Sequence, residues 1–226
     1  MREIVLDTET TGFKPSDGHR IVEIGCVELH NHVPTGGTFH KYINPERDMP
    51  TEAFQVHGLS MGFLSDQPVF SEVVGEFLEF VGDTKLVIHN AGFDMAFINA
   101  ELKTLGFAPI PMSQAIDTVR MARDKFPGAQ ASLDALCRRF NIDNSARTKH
   151  GALLDAELLA EVYLELKGGR QRGFGLTADA DESGSTVAAP VERVARPARS
   201  HDASEEELAA HRKFLERLTK PVWENN

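Results

Sequence analysis

"VLDTETTG", residues 5–12, follows a short apolar run and places two carboxylates, Asp7 and Glu9, two positions apart. In a β-strand alternate side chains project from one face, so both acids point the same way from the end of the predicted strand. Like charges held side by side repel each other unless a cation compensates them. No Lys or Arg lies within this stretch, so the compensating charge has to come from another part of the chain or from a bound ion.

The composition is that of a soluble globular protein, with 226 residues, 41% of them hydrophobic, and a formal net charge of −10. This length accommodates one sizeable domain and an appendage. The negative charge argues against a broad basic surface for nucleic acid, but not against an enzyme that meets phosphate through metal ions. Cys26 and Cys137 form no CxxC pair, so neither a disulfide framework nor a zinc site is indicated.

We expect no targeting signal at the N-terminus. The start "MREIVLD" reaches an acid before any apolar stretch of signal-peptide length. No later segment approaches the roughly 20 apolar residues that a membrane helix needs. We therefore expect a cytoplasmic protein with no membrane association.

The order of apolar patterns predicts the fold class. Periodicity predicts strands at 3–6, 20–29, 38–43 and 85–90, and helices at 70–82, 91–106, 115–126, 131–140 and 151–166. The first three strands, with a turn-rich segment at 30–37 between the last two, indicate an antiparallel meander. The whole order predicts an α/β domain, residues 1–168, in which helices flank a mixed β-sheet.

The composition changes after residue 176. Residues 177–203 are rich in Ala, Ser, Pro and charge with little to bury, which is typical of a flexible linker. A capping box from Ser204 to Glu207 then opens a helix predicted within 204–226. One face of that helix carries Leu208, His211, Leu215 and Leu218. The chain therefore ends in a short amphipathic helix on a tether.

Two further acids occupy apolar helix faces. Asp94 lies in the first turn of the helix at 91–106, on the side shared with Phe97 and Ile98. Asp155 is followed at helical spacing by the leucines of the segment at 151–166. Burying an unpaired carboxylate costs several kcal/mol, so both acids need cationic compensation.

Divalent cations would compensate the charges of all four acids, Asp7, Glu9, Asp94 and Asp155. Oxygen-only ligands favour hard ions such as Mg²⁺ or Mn²⁺, and several carboxylates suit two ions about 3.5–4 Å apart. Such a pair polarises a phosphate and lowers the pKa of a bound water, which indicates phosphodiester hydrolysis. A spacing of five points His150 and Asp155 apart if both lie in one helix, so we expect His150 in a loop, where a neutral imidazole suits a general base.

Each of these positions also has a purely structural interpretation. Asp7 and Glu9 can cap a turn, because Asp and Thr bond locally at strand ends. Asp94 can be stabilised by the helix dipole, and Asp155 can pair with a basic residue elsewhere in the chain. A lone loop histidine such as His150 is commonly only solvated. The functional interpretation depends on the five residues acting as one set.

The segments "DTETTG", "HNAGFD" and "HGALLD", in this order, resemble the signature motifs of the DEDDh 3′–5′ exonucleases, and the resemblance covers residues 1–168. In the sister DEDDy group a tyrosine stands four residues before the last acid, whereas Gly151 stands there in this chain. The resemblance implies an RNase H-like fold and a two-metal mechanism with His150 as general base and four metal ligands, Asp7, Glu9, Asp94 and Asp155.

The same resemblance implies the substrate contacts. "VHGLS", residues 56–60, is similar to a family motif whose histidine, here His57, contacts the nucleotide at the scissile end. Glu52 stands where a further contact is expected, and Phe93 is expected to wedge against the terminal base. Asp7 and Glu9 are also expected to contact the substrate. The alternatives are that His57 is a turn residue and that Phe93 belongs to the core.

The segment at 132–166 and the tethered tail resemble the proofreading epsilon subunits of bacterial DNA polymerase III. This implies a bacterial enzyme that trims mispaired nucleotides from the single-stranded 3′ end of DNA. In that family the tail binds the catalytic subunit of the polymerase, which assigns the contact here to Leu208, Leu215, Leu218 and Trp223. An RNA-trimming exonuclease of the same family and a non-catalytic assembly scaffold are the alternatives.

A six-residue pattern lies just beyond the domain. "QRGFGL", within the segment 169–176, has the spacing of peptides that dock on the sliding clamp, with Gln171, Phe174 and Leu176 as the contact residues. The alternative is an ordinary segment at the end of the domain.

Overall fold

The computed structural model describes residues 1–145, 147, 149–169 and 203–217. Five strands form one sheet in the order β3-β2-β1-β4-β5. The strands are β1 (Arg2–Thr10), β2 (Ile21–His30), β3 (Val33–Tyr42), β4 (Lys85–Ile88) and β5 (Ala115–Asp117). The helices are α1 (Thr51–His57), α2 (Met61–Leu64), α3 (Phe70–Val81), α4 (Ala91–Thr104), α5 (Thr118–Lys125), α6 (Leu133–Phe140), α7 (Ala152–Leu166) and α8 (Glu205–Leu215). Short 3₁₀ turns lie at Pro15–Asp17 and Met112–Gln114.

Alternation along β1 decides which side of the sheet each residue faces. Ile4 and Leu6 belong to a buried cluster with side chains of α3 and α4, whereas Val5 belongs to a second cluster with α5, α6 and α7. Because β1 pairs antiparallel with β2 and parallel with β4, it lies in the centre of a mixed sheet. The predicted mixed sheet flanked by helices is confirmed. Asp7 and Glu9 continue the row of Val5 and therefore face the layer that contains α7.

The predicted meander forms, but the turn predicted at 30–37 is wrong in extent. Asn31 and His32 alone separate β2 from β3, and their φ angles are positive, 52° and 68°, as a tight two-residue hairpin turn requires. His30 belongs to β2, and residues 33–37 belong to β3. That strand lies at the edge of the sheet. Pro34 has no N–H to donate and is tolerated there, because an edge strand has a neighbour on one side only.

The predicted helix at 115–126 is also wrong in part. Its first three residues form β5, parallel to β4, and α5 begins only at Thr118. The Asp117 carboxylate accepts hydrogen bonds from the backbone N–H groups of Val119 and Arg120, at 2.9 and 3.2 Å, and so caps α5. The sequence pattern does not predict α1 at all, because a helix of 7 residues is too short to show a period.

The tail helix α8 lies in a separate unit, since the chain divides into Met1–Leu176 and Thr177–Asn226. Its predicted capping box is present: the Ser204 hydroxyl accepts from the Glu207 N–H at 3.3 Å, and the Glu207 carboxylate accepts from the Ser204 N–H at 2.8 Å. Leu208 is exposed and Leu215 is partly buried. Three predictions fall wholly or almost wholly outside the described residues: the clamp segment with Gln171, Phe174 and Leu176, the linker, and the contacts Leu218 and Trp223.

None of the helices in the described ranges combines the length and the apolar character that crossing a bilayer requires.

Candidate active site

The predicted metal ligands, the predicted base His150 and Phe93 lie around one cleft at the carboxyl end of β1. The cleft has a volume of about 900 Å³ and is lined by Asp7, Glu9, Phe93, Asp94, His150 and Asp155, together with Arg147 and residues of α5 and α6. The structure therefore brings together acids that are separated by up to 148 positions in the sequence, Asp7 and Asp155 being the outermost pair.

Asp94 reaches the cleft from the other side of the sheet. It lies in the first turn of α4, directly after Asn90, whose φ of 66° lets the chain turn sharply from β4 into the helix. The backbone N–H and the hydroxyl of Thr8 donate to Asp94 Oδ1, at 3.1 and 2.6 Å. These bonds hold Asp94 of α4 against the end of β1 at Thr8, the residue between Asp7 and Glu9.

Asp155 enters through a close approach between α7 and β2. Gly25 on β2 is the register partner of Asp7. A Cβ atom at Gly25 would lie 2.3 Å from the carbonyl carbon of Ala152 and 2.4 Å from its oxygen. The absence of a side chain at Gly25 therefore lets the first turn of α7 rest on the sheet beside Asp7.

We expect Gly25→Ala to destabilise the fold and to reduce hydrolysis together. The added methyl group meets backbone rather than a movable side chain, so α7 has to shift and takes Asp155 with it; overpacking of this kind costs about 1–3 kcal/mol. Urea unfolding and nuclease assays measure the two effects. Gly75→Ala on α3 is the matched control, because a Cβ atom added at Gly75 would meet nothing within 4 Å. Wild-type stability and activity in Gly25→Ala would show that α7 does not depend on this contact.

The acids of the cleft are held in an unfavourable electrostatic state. The exposed fractions are 8% for Glu9 and 3% for Asp94. Burial, and then the charges of Asp155 and Glu23, raise the pKa of Glu9 to about 8. Burial raises the pKa of Asp94 to about 7 in spite of the hydrogen bonds from Thr8. Burial and the charges of Asp94 and Glu9 raise the pKa of Asp7 well above its ordinary value. These raised pKa values show that the ionised acids are unfavourable so close together, and a bound cation would compensate their charge.

Asp155 differs from the other acids because it is paired with Arg147. The Arg147 Nε donates to Asp155 Oδ1 at 2.5 Å and its NH2 donates to Oδ2 at 2.7 Å, while NH1 donates to Asp134 at 2.9 Å. Burial raises the pKa of Asp155, but the hydrogen bonds and charge of Arg147, with those of His150, bring it below its ordinary value. The sequence interpretation missed Arg147, although the alternative that Asp155 pairs with a base elsewhere in the chain is the one that this contact represents.

His150 lies in the loop before α7, as predicted, and its side chain is 48% exposed. Its Nδ1 is 3.2 Å from Asp155 Oδ2 and 2.7 Å from Arg147 NH2. On the opposite side the loop rests on α1: the His150 N–H donates to the Val56 carbonyl at 3.2 Å, and Lys149 Nζ lies 5.2 Å from the ring centre of Phe54. The loop is therefore anchored both at the acids and at the helix that carries Glu52 and His57.

The donor set fits divalent cations. Glu9, His150 and Asp155 each offer a ligand atom, and these atoms lie within 4.8 Å of one another. Asp7 and Asp94 line the same cleft but do not belong to this group of three. Carboxylate oxygens are the ligands that Mg²⁺ and Mn²⁺ prefer. Since Arg147 neutralises Asp155 but the other three acids have raised pKa values, the need for a cation is greatest at Asp7, Glu9 and Asp94.

Glu52, His57 and Phe93 line a second cavity of about 570 Å³ that adjoins the first at Thr8, Glu9 and Phe93. Phe93 is partly buried and its ring lies 5.0 Å from that of Phe97. His57 is buried in α1 rather than in a turn, and its Nδ1 accepts from the Leu59 N–H at 3.0 Å. Its Nε2 has no hydrogen-bond partner among the described residues. Burial lowers the pKa of His57, so the neutral ring presents a buried polar atom beside this cavity.

Comparison with known proteins agrees with this fold and this set of acids. A family model described as Exonuclease matches residues 4–163. The DNA polymerase III subunit epsilon of Rickettsia felis is 51% identical over 224 residues, which are 97% of this chain and 98% of the relative. That of Escherichia coli K12 is 44% identical over 230 residues, with 97% and 94% covered. The chain therefore belongs to the exonuclease family and, within it, to the DNA polymerase III epsilon subunits.

Solved structures share the architecture at lower identity. Escherichia coli exonuclease I in complex with a dT13 oligonucleotide has a TM-score of 0.66 at 15% identity, covering 74% of this chain and 41% of that one. The nuclease domain of 3′hExo, a DEDDh family member bound to rAMP, has a TM-score of 0.64 at 20% identity, with 74% and 92% covered. At these identities the likeness concerns the fold alone, and it confirms the predicted RNase H-like architecture.

Family membership makes the chain a 3′–5′ exonuclease, and the family implies divalent metal ions. The similarity to epsilon subunits over nearly the whole length does not favour the RNA-trimming or scaffold alternatives.

Proposed function

We propose that this chain removes mispaired nucleotides from the 3′ end of a DNA primer, using two divalent ions, Mg²⁺ or Mn²⁺, held by Asp7, Glu9, Asp94 and Asp155. The observation that carries the proposal is the cluster of buried carboxylates with raised pKa values at the end of β1. Such an arrangement is costly to the fold, and a cation site is the function that accounts for it.

In the reaction, water adds to the phosphorus of the last phosphodiester and the bond from phosphorus to the 3′ oxygen of the preceding nucleotide breaks. A nucleoside 5′-monophosphate leaves, and the shortened strand regains a 3′ hydroxyl. Divalent ions, when bound, neutralise the phosphate and favour deprotonation of water. His150 has the exposure and the loop position to accept the proton of the attacking water. Arg147 orients Asp155 through two hydrogen bonds. The Asp155 Oδ2 in turn lies 3.2 Å from His150 Nδ1, and an imidazole that donates to it there keeps Nε2 free to accept the proton.

The second cavity would receive the terminal nucleotide. His57 Nε2, buried and without a partner in the described part of the chain, is suited to donate to an oxygen of the nucleotide. Glu52 lies on the same helix and Phe93 stands between the two cavities, where an aromatic ring can stack on the terminal base. These contacts read no particular base, which suits an enzyme that has to remove any mispaired nucleotide.

Strand-end labelling tests the activity. We expect an oligonucleotide labelled at its 5′ end to shorten stepwise, and the same strand labelled at its 3′ end to release a labelled mononucleotide at once. Both reactions should need Mg²⁺ or Mn²⁺ and stop with a chelator. Internal cuts, release from the 5′ end, or undiminished hydrolysis in chelator would overturn the proposal.

We also propose that the enzyme acts in the bacterial cytoplasm as part of a replicative polymerase, because the relatives are bacterial DNA polymerase III epsilon subunits. The net charge of −10 supports a dependence on the polymerase for access to DNA, because an acidic chain binds DNA weakly when it is alone. The tail helix with exposed Leu208 would dock in a groove of the catalytic subunit, and the segment with Gln171 would dock on the sliding clamp.

Truncation after Thr177 should abolish binding to the polymerase catalytic subunit while hydrolysis of free single strands persists. Gln171→Ala combined with Leu176→Ala should weaken the clamp contact alone, because the two signals are separate. Size-exclusion chromatography and a nuclease assay measure these outcomes. Polymerase binding by the truncated chain would show that the tail is not the anchor, and wild-type clamp binding by the double variant would remove the clamp assignment.

A further inference from the structure

The main cleft extends well beyond the acids. Past His89 and Asp117 its wall is formed by α5, with Arg120 and Arg123, and by the first turn of α6. The second cavity leaves the acids in a different direction, past Glu9 and Phe93. The acids thus stand at the junction of two arms, of which the arm along α5, here called the α5 arm, has no role in the reaction described above.

Arg120 and Arg123 are available to a ligand. They lie three positions apart on α5, which places them on one side of the helix, and both are exposed. Neither guanidinium forms an ion pair or a side-chain hydrogen bond with any residue that the structure describes. By contrast, Arg2, Arg20 and Arg147 are each paired, with Glu28, Glu101 and Asp155 respectively.

The acids of the α5 arm do not cancel this charge completely. The Asp117 carboxylate is used by the N–H groups that it caps, and Asp134 accepts from Asn144 and Arg147. Asp124 is exposed on α5 and is the remaining acid of this arm. Two uncompensated guanidinium groups therefore face one further carboxylate, so the arm is locally suited to anions in a chain of net charge −10.

We propose that the α5 arm binds the phosphodiester backbone of the DNA strand upstream of the terminal nucleotide, with Arg120 and Arg123 contacting phosphates. The direction of the strand rests on the proposed function. When the terminal nucleotide occupies the cavity with Glu52 and His57, the preceding nucleotides extend from the acids along the α5 arm. Phosphate contacts of this kind fix the register of the strand without reading its sequence. They also make binding depend on salt.

The test compares two substrates that differ only in the upstream strand. One is a single-stranded oligonucleotide. The other is the p-nitrophenyl ester of thymidine 5′-monophosphate, in which nitrophenolate replaces the upstream strand as leaving group. The variant is Arg120→Gln with Arg123→Gln in the full chain. The matched control is Lys103→Gln with Arg138→Gln, which removes the same charge from exposed positions outside the cleft.

We expect the Arg120 and Arg123 variant to raise KM for the oligonucleotide roughly tenfold or more, because hydrogen bonds to a charged partner are lost. The salt slope of oligonucleotide binding should fall by about 1.4, or about 0.7 for each phosphate contact. Hydrolysis of the ester and the melting temperature should match wild type, and the control should match wild type throughout.

Three outcomes would overturn the proposal: an unchanged KM and salt slope for the oligonucleotide, an equal loss in the control variant, or an equal loss with the ester. The last would place the arginines at the reacting nucleotide or in the stability of the fold. Failure of the proposed function is a different result, because wild type would then hydrolyse neither substrate with either metal.

Discussion

Asp7→Asn should leave a folded chain whose rate of DNA hydrolysis falls at least roughly 10³-fold. The substitution removes a ligand of the metal site, and bound metal ions stabilise the transition state by several kcal/mol. In the absence of metal the same variant should be more stable than wild type. Burial and the neighbouring acids raise the pKa of Asp7, so the ionised group is unfavourable in the folded chain, and an uncharged amide of the same shape relieves that repulsion.

Asp155→Asn should lose activity to a similar extent but with the opposite effect on the metal-free chain. The pKa of Asp155 lies below its ordinary value because Arg147 is hydrogen-bonded to both of its oxygens. Removing one partner of a buried ion pair costs up to about 3–5 kcal/mol. The loss expected here is smaller than that limit, because Arg147 keeps its ion pair with Asp134. Glu157→Gln, an exposed position on the same helix, is the control for removing one negative charge from α7.

Thermal unfolding in chelator and single-turnover nuclease assays measure both variants. For a chain of this length each kcal/mol changes the melting temperature by about 2–4 °C, so the opposite signs are readily resolved. If Asp7→Asn melts below wild type without metal, the acids do not repel each other as the geometry indicates. If it hydrolyses DNA at the wild-type rate, Asp7 is not a metal ligand.

The acids of the site could be predicted where the local sequence period shows which way a side chain points. The alternation in β1 places Asp7 and Glu9 on one face, and the apolar stripes around Asp94 and Asp155 show that both acids are drawn inward. Burial of an acid does not reveal its partner, however. Arg147 was missed because it lies in a loop without periodicity and reaches Asp155 from eight positions away. Its sequence signal is weak: an arginine in a polar segment just before a helix that carries a buried acid.

The parts of the fold that escaped prediction share a physical cause. The helix α1 has 7 residues and β5 has 3, so neither spans enough of the chain to show a repeat. Glu52 and His57 consequently entered through family resemblance alone. Gly25 is different, because a glycine inside a strand is a recognised sign of close backbone approach. Which element approaches it depends on the tertiary fold, and only the structure shows that the element is the first turn of α7.

His150 can be assigned as a general base or as a metal ligand. As a general base it accepts a proton from water, whereas as a ligand it would complete the group that it forms with Glu9 and Asp155, whose ligand atoms lie within 4.8 Å. Its exposure and its place in a loop favour the role of base. A second argument comes from Asp7, Glu9 and Asp94, the three acids with the greatest need for a cation. In the described residues the imidazole forms no hydrogen bond with any of them.

We therefore expect His150→Ala to retain metal binding and to lose roughly 10²–10⁴-fold in turnover, the usual contribution of a positioned base. The loss should persist at saturating metal, and calorimetric titration should give a metal affinity close to that of wild type. Lys149→Ala is the neighbouring control: it releases the loop from Phe54 but keeps the imidazole, so it should lower turnover by less. A tenfold weaker metal affinity in His150→Ala, with turnover restored when metal is saturating, would instead make His150 a ligand.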